Sequence, residues 1–219
     1  MKKVPFFANT HDDTHCVQAG FRIMLKYFLP ERDFSYDQLD KMSQKQAGKG
    51  TWWPPILIEL QKLGLDVVCI EGFGYKEFYR GGADYVRQLY RSEAADYYLN
   101  HSNLMAIRPL IPEFLRKVQV QTRPATFEDL DSLLAGGWLV GINLNAAALN
   151  DLGRSDYVGH MVVVFDKQND GYWLHDPGLK PRPNRHVTRQ KLSEAWLWAG
   201  AKTADLVAMK KPVKSIKKP

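Results

Sequence analysis

The sequence predicts an α+β fold, helices first and sheet second, on three observations. Residues 16–29 carry apolar side chains at helical spacing (Val17, Phe21, Met24, Leu25, Phe28) and stop at Pro30. Late in the chain, Met161-Val162-Val163-Val164-Phe165 is a continuous, mostly β-branched run, followed closely by a second apolar stretch at 171–175. The helical period dominates the first third and the strand signals the last third, an order that favours segregated helices and sheet.

Taken in order, the elements follow from local chemistry. The first helix is read over 16–29. Ser35 caps a second through Leu39 and Met42. Pro55 opens a third, Ile56 to Leu63, which Gly64 ends. Residues 65–71 read as a buried strand containing Cys69. Residues 73–124, rich in tyrosine and charge, read as mostly helical, from about Ala83 to His101 and again from Pro112 to Val118. Thr126 begins a short helix with Glu128 and Asp129 in its first turn, as the macrodipole favours, and Gly136-Gly137 ends it. Trp138 to Leu144, His160 to Phe165 and Gly171 to His175 are strands, the last two joined as a hairpin through Asp166–Asp170. A helix over Thr188–Trp198 and a strand over Ala204–Met209 close the chain, and Trp173, Trp196 and Trp198 read as core.

With 219 residues and a 45% hydrophobic fraction, the chain holds one domain with a proper core. That domain is read as 1–209, with a helical insertion at 73–124 and a disordered basic tail at 210–219. The net charge of +6 does not imply a nucleic-acid partner. Five lysines (Lys210, Lys211, Lys214, Lys217, Lys218) crowd the last ten residues, and the other 25 basic groups balance 24 acidic ones. No apolar run approaches the ~18 residues of a membrane helix, and the amino-terminal apolar stretch ends too early for a signal peptide, so a cytoplasmic location is expected. Two cysteines without a secretion signal point to reduced thiols.

Cys16 stands where a polar loop becomes an apolar helix. Free backbone N–H groups and the positive end of the macrodipole there favour thiolate over thiol. A nucleophilic cysteine also needs an imidazole base and a polar group to orient it. His160 heads the apolar strand, and Asp176 ends the strand across the hairpin, so the two are expected to meet. His175, one residue earlier, is expected to face the other side of the sheet. His101 and His186 read as surface residues. The run His11-Asp12-Asp13-Thr14-His15-Cys16 lacks zinc-ligand spacing, and neither metal nor cofactor is expected.

Cys16 at the start of a long helix, His160 heading Val162-Val163-Val164, and Asp176-Pro177 occur in the order of a known pattern. The chain resembles the bacteriocin-processing type of papain-like cysteine peptidase, whose domains cleave double-glycine leader peptides, and related stand-alone C39-like peptidases. The segment Leu192-Ser193-Glu194-Ala195-Trp196 is similar to the family's closing helix. The likeness covers residues 5–72 and 126–200. It implies a papain-like fold and a cysteine hydrolase acting on a peptide or amide through Cys16, His160 and Asp176 and an acyl-enzyme. Two further readings are an acyltransferase with the same three residues and an inactive peptide-binding module. The chain departs from the family at the oxyanion-hole glutamine: Thr10 occupies that place, and Asn9 beside it offers the same amide donor on a shorter arm. Losing such a donor costs on the order of 10²–10³ in rate.

Overall fold

A computed structural model describes residues 2–153, 156–178 and 180–212. The first three helices are α1 (Cys16–Phe28), α2 (Tyr36–Ser43) and α3 (Pro54–Lys62). Ser35 caps α2 in a reciprocal box: Ser35 Oγ accepts from Gln38 N at 3.2 Å, and Gln38 Oε1 accepts from Ser35 N at 2.9 Å. Strand β1 (Asp66–Glu71) follows, then α4 (Tyr75–Leu89), α5 (Ser92–Asn100), α6 (Leu104–Ile107), α7 (Ile111–Lys117) and β2 (Gln119–Thr122). The remainder is α8 (Phe127–Ala135), β3 (Leu139–Asn145), α9 (Ala146–Asn150), β4 (Gly159–Gln168), β5 (Gly171–Asp176), β6 (Arg182–Thr188), α10 (Arg189–Trp196) and β7 (Leu206–Lys210).

The α+β class holds. The seven described strands form one sheet in the order β2-β1-β7-β3-β4-β5-β6, antiparallel throughout except for the parallel β1–β2 pair at one edge. The sheet therefore draws on both halves of the chain, because β1 and β2 precede α8. Both of its faces are covered. Met161, Val163 and Phe165 of β4 share a core with Phe21 and Met24 of α1 and Leu57 of α3. Val162 and Val164 share the opposite core with Leu130 of α8 and Leu192 and Trp196 of α10. Burial on two faces explains why β4 reads as an unbroken apolar run rather than an alternating one.

Residues 73–124 are mostly helical, as expected, but differently divided, and they end in the strand β2. Helix α4 starts earlier, at Tyr75, and bends at Gly82, whose φ of 54° and ψ of −129° are non-helical. The Arg108 guanidinium covers the bend, donating from Nε to Tyr79 O at 3.0 Å and from Nη2 to Arg80 O at 3.1 Å. Extended backbone at Tyr90 and Arg91 separates α4 from α5. The segment is not peripheral. Val86, Leu104, Ile111 and Phe114 belong to the same core as α1 and α3. Buried Asn103 ties it to the 43–52 loop, accepting from Trp52 N and donating to Ser43 O and Gln44 O.

At the carboxyl end, β7 runs through Lys210, so the first lysine of the expected tail instead ends a strand in the middle of the sheet, and Lys211 follows it. The rest of that expected tail, 213–219, lies outside the described residues. Trp196 is core, Trp173 is partly buried against the core on the other face of the sheet, and Trp198 is 42% exposed with its ring tilted against Tyr157. The expectation for Trp198 is thus corrected: α10 ends at Trp196, and Trp198 falls in the turn beyond it. No helix among the described residues is long and apolar enough to cross a membrane.

Candidate active site

The position of Cys16 follows from how α1 lies on β4. A Cβ at Gly20 would stand only 3.0 Å from Met161 Sδ, and one at Gly141 would stand 2.3 Å from Met161 Cε. With glycine at these two positions the Met161 side chain lies directly between α1 and the sheet. Cys16 lies four residues before Gly20, on the same face of the helix and one turn nearer its start. It is therefore set over the beginning of β4, where the Met161 backbone hydrogen-bonds the thiol and His160 interacts with it. No side chain of the capping residue His15 closes the start of α1.

His160 and Asp176 meet as the hairpin predicts. Pairing of Val163 with His175 and Val164 with Leu174 leaves Asp176 diagonal to His160 across the same two strands. His160 Nε2 lies 2.8 Å from Asp176 Oδ1, and both residues are buried, at 6% and 2% exposure. Gly178 N also donates to Asp176 Oδ1, at 3.1 Å. A Cβ on Gly178 would come within 3.2 Å of Asp176 Oδ1 and 3.4 Å of His160 Cε1, so the glycine lets the backbone close over the pair.

The electrostatics follow from these contacts. Burial pushes the Cys16 thiol up, but the hydrogen bond and charge of His160 and the Met161 backbone outweigh it, leaving the pKa below its ordinary value. Burial pushes His160 down, and the hydrogen bonds to Asp176 and Cys16 more than reverse this, raising it to about 10. Burial raises Asp176, and His160, Gly178 N and Arg185 bring it below the usual carboxylate range. The three shifts favour a thiolate, an imidazolium and a carboxylate.

The other named residues fall as follows. Asn9 is at the site's edge: its N–H donates to Pro177 O at 2.7 Å, and its Oδ1 accepts from His15 N at 2.8 Å. Its Nδ2 donates to Asp13 Oδ1 at 2.7 Å, which commits one of its two amide hydrogens. Thr10 Oγ1 contacts Asp12 Oδ1 and His15 Nδ1, within the loop rather than toward the thiol. His15 Nε2 contacts Asp40 Oδ2 of α2 at 3.1 Å, bracing the loop before α1. His175 packs against Phe6 and Phe165, with Nε2 at 3.1 Å from Val4 O, apart from the pair. His101 and His186 are exposed. Among the described residues no group of three or more His, Cys, Asp or Glu is set to hold a metal.

Three features were not found from sequence. Arg185 of β6 reaches Asp176 Oδ2 at 3.3 Å. Glu71 and Asp205 stand one step beyond the paired residues Ile70 and Leu206, so they face each other across β1 and β7. Glu71 Oε1 accepts from Tyr75 OH at 2.6 Å, Trp53 Nε1 at 3.1 Å and Cys69 Sγ at 3.1 Å. Asp205 accepts from Asn143 N and Nδ2 at 3.1 and 3.2 Å. Burial and the charge of Glu71 push Asp205 up to about 8. A carboxyl raised in the folded state stabilises fully below its unfolded pKa, and that contribution is lost as pH rises through about 8. The expected result is that Asp205→Asn, melted between pH 6 and 9, loses less Tm across the interval than the wild type; parallel losses would contradict the assignment.

No family model and no curated protein matches the chain. Among solved structures, a protein from Bacillus anthracis described as a proposed C39-like peptidase aligns over 97% of this chain and 96% of its own. The identity is 16% and the TM-score 0.48.

Proposed function

We propose that the protein is a papain-like cysteine hydrolase that cleaves a peptide or amide bond through an acyl-enzyme on Cys16. The observation that carries this reading is the buried His160–Asp176 pair beside half-buried Cys16, whose thiol pKa is lowered. In this reading the Cys16 thiolate attacks the carbonyl carbon. The oxyanion is held by the Cys16 N–H and the uncapped start of α1, where backbone donors and the macrodipole act together. His160 Nδ1 passes its proton to the leaving amine as the C–N bond breaks. A water then attacks the thioester, giving its proton back to His160 and releasing the acid. Asp176 holds Nε2 throughout and stabilises the imidazolium. Asn9 is the side-chain candidate for a second oxyanion donor, through its remaining amide hydrogen.

The same acyl-enzyme would serve an acyltransferase if an amine displaced water. Peptide-library digestion with mass analysis, with and without an added amine and with Cys16→Ser as control, separates the possibilities. Free acid products that depend on Cys16 are expected. Products found only with amine would make it a transferase. Binding without turnover in the presence of a reactive Cys16 thiolate would make it a peptide-binding module.

A further inference from the structure

Asp176 has two oxygens, and the chain uses them differently. Oδ1 faces His160 Nε2 and Gly178 N. Oδ2 faces Arg185 Nη1 at 3.3 Å. The guanidinium does not reach there loosely. Nη1 also donates to Asn150 Oδ1 at 2.8 Å, and Nη2 donates to Leu149 O at 2.8 Å, both at the end of α9. Its side chain is only 16% exposed. Pairing of Leu174 with Arg185 on neighbouring strands sets the arginine beside Asp176. A rigid fork anchored at two points thus presents one N–H to the back of the carboxylate.

On the reading that Cys16, His160 and Asp176 act together, we propose that Arg185 is a positioning residue for Asp176. By holding Oδ2 it stops the carboxylate from rotating, so Oδ1 stays aligned on His160. By its charge it keeps Asp176 ionised into acid, so His160 retains its partner and Cys16 its thiolate at low pH. The cation lies behind the carboxylate from the imidazole, so it secures Asp176 without taking the hydrogen bond that His160 needs. The groups facing Asp176 are His160 from β4, Arg185 from β6 and the Gly178 N–H; Arg182, also on β6, and Asp151, beyond α9, act on Arg185.

The test follows two titrations in Arg185→Gln, Arg185→Lys and the wild type: the Asp176 carboxyl by ¹³C NMR, and the rate of Cys16 alkylation by iodoacetamide. In Arg185→Gln the Asp176 midpoint is expected to rise by about one pH unit. The acid limb of alkylation is expected to rise with it. Arg185→Lys, which keeps the charge but not the fork, is expected to shift both by less than half as much. A merely structural arginine would lower Tm and leave both midpoints of the folded protein in place, and that result overturns the proposal. So does an Asp176 midpoint that moves while the alkylation limb does not. If Arg185→Gln does not fold, Asn150→Ala, which removes one tether of the guanidinium, is read the same way: a shift in the same direction supports the role and none rejects it. A wild-type Cys16 that titrates as an ordinary thiol would instead remove the proposed function on which this role rests; a wild-type thiolate with unmoved limbs in the variants would remove only Arg185.

Discussion

His160→Ala is expected to slow alkylation of Cys16 at pH 6 by about 10² or more, with the fold intact. The thiol is held below its ordinary pKa against the cost of its own burial, and His160 supplies the largest opposing contributions. Without the imidazole only the Met161 backbone opposes burial, and the thiol moves above its ordinary value. Each unit of pKa is a tenfold change in thiolate at a fixed pH below it, so a thiol that moves from below its ordinary value to above it loses most of its thiolate at pH 6. The start of α1 remains, but a helix terminus alone contributes only about 0.3–1 kcal/mol at an exposed site. An unchanged rate in His160→Ala would mean that the helix, not the histidine, activates the thiol.

Asp176→Ala is expected to have the second large effect, on stability and reactivity together. The side chain is 3% exposed and lies between two cationic groups, His160 and Arg185. Removing it leaves a buried guanidinium facing a buried imidazole with no anion between them. Breaking a buried pair in this way costs about 3–5 kcal/mol, mainly through the charge left uncompensated. The sign with pH is fixed by the shifts. Asp176 is lowered in the folded state, so its contribution is present above its unfolded pKa and lost as pH falls through the folded one. His160 is raised, so its contribution is present below about 6.5 and lost as pH rises through about 10. Denaturant melts of Asp176→Ala against the wild type at pH 4 and pH 7 check this: the gap should be wider at pH 7. Equal gaps would show that the carboxylate's charge does not contribute.

Much of this was legible in the chain. Cys16 at the polar-to-apolar junction, His160 heading an apolar run and Asp176 ending the next are local signals, and the hairpin between them turns sequence distance into contact. Caps at Ser35 and Thr126 were legible for the same reason, since each partner lies three residues away. What was not legible depends on register or on edge strands. β6 contains Pro183, Asn184 and two arginines, so it lacks an apolar alternation, and only pairing with β5 reveals it. Arg185 went unseen with it. β2, with the polar sequence Gln-Val-Gln-Thr, is a short edge strand whose partner lies about fifty residues away. Glu71 ends one expected strand and Asp205 lies at the start of another, without sign that those strands were neighbours. Their juxtaposition is set by the placement of β7 between β1 and β3, which no local pattern encodes.

The central claim is that Cys16 is a thiolate held by His160 at neutral and mildly acidic pH. The pH dependence of iodoacetamide labelling at Cys16 tests it most directly, with Cys16→Ser correcting for Cys69, which is buried and pushed well above its ordinary pKa. The account predicts labelling that is already fast at pH 6, flat through neutrality, and lost in His160→Ala. A single rise near the pKa of a free thiol, unchanged by His160→Ala, would contradict it.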